Sequence, residues 1–182
     1  MSPRFLAGLA FLFVYDNPIA QPTPRASGQL IYFKSTQSLV LFDGYEKGTM
    51  PASGKSETWA WKNNSWTKID ETDQPMRSLS GAAYMTDEDR VFVFGGVGSK
   101  GYDDSLKLGY SFDGKEWKSI PDNSMGTRDH HEMAYDENNK AIVLYGGQTG
   151  SREFDTKTWF YKAGAWVPLN IPGPGGRVHH AM

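Results

Sequence analysis

There is no cysteine anywhere in the 182 residues. Disulfide staples, thiolate catalysis and thiolate zinc sites are therefore excluded. A dominant charge is missing as well: 19 lysines and arginines stand against 21 aspartates and glutamates, a formal net charge of -2. So balanced a chain gives no electrostatic reason to bind nucleic acid or an anionic membrane surface. No segment reads as helix, and no nucleophile elbow, phosphate-binding glycine loop or metalloprotease helix is present. Gly95-Gly96-Val97-Gly98 follows an apolar run but leads to another loop and strand, so it is no dinucleotide fingerprint. One unbroken apolar run stands out, the eleven residues Phe5 to Tyr15 between Arg4 and Asp16. It is too short to span a bilayer and suits the core of a secretory signal. This reading assigns residues 1–20 to an export signal cleaved after Ala20 and residues 21–24 to a linker. The product is then soluble, secreted or periplasmic, since no lipid-anchor cysteine follows. A buried first strand is the alternative for that run.

What the chain has in quantity is glycine, 20 residues, and aromatic side chains, 14% of the total. Together they point to short strands joined by tight turns. The strands repeat. Arg25, Arg77, Arg128 and Arg177 recur at intervals of 52, 51 and 49 residues. Seven positions after the first three come Tyr32, Tyr84 and Tyr135. Apolar strands follow, ending in Asp43-Gly44, Gly95-Gly96 and Gly146-Gly147, and then aromatics seven apart: Trp59 and Trp66, Tyr110 and Trp117, Trp159 and Trp166. A period near 50 residues with a diglycine and a late tryptophan belongs to propeller blades. Each unit parses into four strands, with Asn63-Asn64, Asp113-Gly114 and Ala163-Gly164 as the last hairpin turns.

These landmarks resemble the kelch repeat. The stretch from Arg128 to Trp159, with its Arg-x-His-His-x-Met-Ala-Tyr-Asp, Leu-Tyr-Gly-Gly and Asp-Thr-x-Thr-Trp, is similar to bacterial kelch proteins grouped with the galactose oxidase central domain. The resemblance covers about residues 24–182, with the first unit the weakest because Asp43 replaces a glycine. It implies an all-β fold of kelch-type β-propeller blades: 25–70, 71–121 and 122–170 as three four-stranded antiparallel blades, and 171–182 as the start of a fourth. Propellers close with about four to eight blades. An incomplete propeller is thus expected, its remaining blades coming from downstream sequence or from another chain.

Repeated residues define a scaffold, and function sits in what differs between repeats. The tryptophans are expected between blades, the diglycines where a side chain would clash, and Arg77 and Arg128 as braces on carbonyls. The connections after the second and fourth strands share one face and carry the variable segments, so that face is the candidate binding surface. Its candidate residues are Arg77, Arg128, Arg177, His130, His179, Tyr102 and Asp103. His130-His131 and His179-His180 are equivalent pairs, and alternation along a strand turns one of each pair toward the central channel. A metal shared between two such histidines is the alternative to a purely structural signature. No metal and no cofactor are expected. Galactose oxidase chemistry needs a tyrosine cross-linked to cysteine and is excluded. The family includes a periplasmic sialic acid epimerase, but no motif carries that activity over residue by residue. No catalytic residue is therefore assigned. The expected function is recognition of a protein or glycan partner, with a carbohydrate-active enzyme using a central pocket as the alternative.

Overall fold

The computed structural model describes residues 20–46, 55–75, 77–98, 109–121 and 125–182. The export-signal run, and Tyr102 and Asp103 of the second long loop, lie outside the described residues. The rest forms twelve strands in three separate four-stranded sheets, each an antiparallel meander. The first sheet is β1 (Ala26–Phe33), β2 (Ser38–Tyr45), β3 (Lys55–Lys62) and β4 (Ser65–Pro75). The second is β5 (Gly81–Met85), β6 (Arg90–Phe94), β7 (Gly109–Phe112) and β8 (Trp117–Ile120). The third is β9 (Arg128–Asp136), β10 (Ala141–Thr149), β11 (Thr158–Lys162) and β12 (Ala165–Leu169). Turn chemistry explains the tightest hairpins. Asn63, Asn64, Ala163 and Gly164 all take the left-handed backbone that a two-residue hairpin loop requires.

The sheets stack face to face as blades, with β5 beside both β1 and β9 near a common axis. Two apolar seams hold them. The seam between the first two blades buries Phe33, Val40 and Phe42 against Val91, Val93 and Phe112. The seam between the second and third buries Ala83, Phe92 and Phe94 against Met133, Ile142, Leu144 and Trp166. Two of the three late tryptophans take the expected place between blades. Trp117 packs edge-on to Phe42 of the previous blade at 5.2 Å and donates its indole N–H to the Thr58 hydroxyl at 2.8 Å. Trp166 contacts Phe92 and Phe94 at 6.0 and 5.2 Å. Trp66, on the first blade, rests on Trp61 of its own sheet at 5.3 Å and is half-buried. Trp166 is buried and Trp117 partly so, and a ring buried as fully as Trp166 removes enough apolar surface from water to contribute several kcal/mol.

A second tie crosses every seam through the backbone. The amides of Gly44, Gly96 and Gly147 donate to the carbonyls of Arg77, Arg128 and Arg177, each at 2.8 Å. The third tie shows that Arg177 occupies the position that Arg77 and Arg128 hold in their repeats. Residues after Arg177 form no strand among the described residues, where a fourth first strand was expected. The fourth strand of the first blade also runs on to Pro75, past the expected limit at residue 70.

Candidate functional site at the central mouth

The repeated arginines are spent on the scaffold. Arg25 Nη1 donates to the Asp43 carbonyl at 3.2 Å, Arg77 Nη1 to Gly95 at 2.9 Å, and Arg128 Nη1 to Gly146 at 3.1 Å. Arg77 also lies over the Tyr110 ring at 4.7 Å. Arg128 pairs with Asp155 at 2.7 Å, and the same carboxylate accepts the Trp159 indole N–H at 2.7 Å. Arg77 and Arg128 are each 2% exposed, so both act as internal braces. The exposed Arg177 differs: its guanidinium turns back to the Pro174 and Gly175 carbonyls of its own loop.

Two residues beyond each arginine the chain does something the sequence does not announce. Ser27, Leu79, His130 and His179 all have left-handed backbone, with φ of 55°, 59°, 54° and 55°. Such a conformation costs a non-glycine residue on the order of 1 kcal/mol or more. Three unrelated kinds of side chain, at four positions, share it, so the strain belongs to the scaffold. It kinks the chain at or just before the first strand of each blade and at the equivalent place beyond Arg177.

The four converge. A cavity of about 290 Å³ is lined by Ser27, Gln29, Leu79, Ser80, His130, Glu132 and His179, among others. The His130 and His179 rings meet edge to face at 4.5 Å, bringing together two of the residues singled out in the sequence. His130 Nδ1 bonds to the carboxylate of Asp129, which is fully buried. Burial raises the pKa of the Glu132 carboxyl above the ordinary glutamate range. Among the described residues, no group of three or more histidine, aspartate or glutamate side chains is placed to hold a metal ion. Sequence reasoning missed Ser27, Leu79 and Gln29. The available signal was their offset from the repeated arginine, at a position where the repeats disagree.

The partner histidines His131 and His180 point the other way. His131 is 1% exposed, and desolvation depresses its pKa well below the usual histidine value. Its ring fills the space above Gly95, where a Cβ would come within 2.8 Å of the imidazole. His180 does the same above Gly146, again at 2.8 Å. The first seam is built otherwise. Ser80 stands where His131 and His180 stand, and the small side chain leaves room for Asp43 in place of the glycine. Asp43 keeps the left-handed backbone, φ 57°, and accepts the Ser80 hydroxyl at 2.8 Å. Its burial pushes the carboxyl up to about 6, against the pull of Arg77, Ser80 and Arg25.

No family model matches the chain, and no curated protein matches it in sequence. Among solved structures the chain is similar to one described as "Structure of YjhT", with a TM-score of 0.62 and 14% identity. The match covers 82% of this chain and 54% of that one, so the chain spans about half the length of the structure it resembles. At that identity the likeness speaks for architecture alone. The likeness supports a β-propeller architecture, to which the three consecutive four-stranded sheets of this chain correspond in an unclosed arrangement.

Proposed function

We propose that the chain is part of a kelch-type recognition module whose central mouth and surrounding loop face bind a partner, a glycan by preference over a protein. The observation that carries this reading is the row Ser27, Leu79, His130 and His179: one backbone conformation, one location and three different side-chain chemistries. A scaffold that fixes the backbone and varies the side chain is how binding surfaces are built on repeat folds. Ser27 and Gln29 supply hydrogen-bonding groups, Leu79 an apolar wall, and the imidazole pair aromatic faces. Among the described residues no lysine or arginine lines the cavity, which favours a neutral polar ligand over an anionic one. Export through the Phe5–Tyr15 signal would place the module outside the cytoplasm, where glycans are abundant.

A glycan array probed with the chain tests the reading, with Leu79→Trp as the variant that plugs the mouth. Binding to neutral glycans that Leu79→Trp abolishes is the expected result. Equal binding by the variant would move the site away from the axis. Turnover of a bound sugar would establish the enzyme alternative, which the buried Asp129 behind His130 favours.

A further inference from the structure

We propose that His130 is a proton acceptor for a ligand hydroxyl in the central mouth, with Asp129 as its positioning residue. The inference rests on the mouth being the ligand site and adds an activity to it. The Asp129 carboxylate is fully buried; Oδ1 bonds to His130 Nδ1 and, among the described residues, Oδ2 has no partner. A carboxylate only accepts, so Nδ1 carries the proton and the Nε2 lone pair is the one left for the mouth. The His130 side chain is 19% exposed, enough to meet a ligand, and the His179 ring beside it limits its rotation. The other repeats sharpen the argument. The residue before the left-handed position is Ala26, Ser78, Asp129 or Val178 in the four units. Only one repeat joins an acid to a base. His179, in the same conformation behind a valine, is an internal control.

In the step this geometry allows, a ligand O–H bond breaks and its proton passes to Nε2. The imidazolium so formed is balanced by the adjacent Asp129 carboxylate, and Nε2 returns the proton to the same ligand oxygen, so that the O–H bond re-forms. Nothing is oxidised or reduced, and no co-reactant enters. The Glu132 carboxyl, lining the same cavity, is the group placed to supply a proton elsewhere on the ligand.

The test needs no ligand. Diethyl pyrocarbonate acylates unprotonated imidazole nitrogen, and peptide mass spectrometry reads each histidine separately. At pH 8 His130 should react about tenfold faster than His179, and Asp129→Asn should erase the difference while leaving His179 unchanged. Long-range nitrogen NMR should show His130 as the Nδ1–H tautomer, with Nε2 unprotonated. Should Asp129→Asn fail to fold, the tautomer of the unaltered chain decides alone. An Nε2–H tautomer, or His130 no faster than His179, overturns the proposal. Neither result touches the mouth as a binding site, which stands or falls on the Leu79→Trp binding experiment.

Discussion

The two seams between blades solve one packing problem with opposite chemistry. Between the second and third blades a glycine, Gly95, lies beneath the neutral, buried His131. Between the first and second an acid, Asp43, sits beneath Ser80. Volume is exchanged between partners on facing blades, so neither residue of a pair makes sense without the other. The exchange also reverses the response to protons. Asp43 has a folded pKa near 6, above the ordinary aspartate value, so the first seam gains stability as pH falls through 6 toward 4 and loses it as pH rises. His131 has a folded pKa depressed below the usual histidine value, so the second seam loses stability as pH falls below about 6.5.

The sharpest way to break the comparison is to exchange one member of a pair. Gly95→Asp puts a Cβ against the Arg128 carbonyl and the His131 ring and buries a charge; it should destabilise by on the order of 4 kcal/mol in a denaturant melt. Adding His131→Ser should restore a large part of that loss, because it recreates the Asp43–Ser80 arrangement. If the double variant is no better than the single one, the pairing argument is wrong.

Next in size is the contrast among tryptophans. Trp166→Ala should cost about 3–5 kcal/mol, since it leaves a cavity inside a seam, and Trp117→Ala, a partly buried ring that also loses its bond to Thr58, about 2–3 kcal/mol. Trp66→Ala, removing a half-buried ring stacked on its own sheet, should cost nearer 1 kcal/mol. Thermal melts of the three side by side check the order.

A third effect separates the seams by acid. Keeping Asp43 charged at neutral pH costs on the order of 3 kcal/mol, so Asp43→Asn should stabilise the chain at pH 7 and flatten its pH dependence between 4 and 6. The smallest effect is the most local. Hydrogen exchange of the Gly44 and Gly96 amides, which cross the two seams, should move oppositely once corrected for intrinsic rate. Between pH 7 and 5, Gly44 should gain protection and Gly96 should lose it. Parallel changes would mean that the blades open together.

Much of this architecture is legible in the amino-acid sequence. Arginine, tyrosine, diglycine and tryptophan recur in register, and each proved to hold a fixed place in a four-stranded blade. The bracing role expected of Arg77 and Arg128 matches their bonds to Gly95 and Gly146. The mouth was half legible. His130 and His179 were visible as equivalent residues, but alternation along a strand does not foretell a left-handed residue at its start. Ser27 and Leu79 carry no composition signal for that conformation, because the backbone is imposed by neighbouring strands. The Asp43–Ser80 pair was hidden for a related reason. Its members are 37 positions apart, and the departure of Asp43 from the pattern reads as weakness until the facing residue is known.

The left-handed position also has a practical meaning. Its conformation has been tolerated with serine, leucine and histidine, and its side chain ends in a shared opening. It behaves as a socket into which residues can be exchanged while the strand around it stays fixed. A library randomised at residues 27, 79, 130 and 179 would therefore explore new ligands at one point on the surface, with the blades as an unvarying frame.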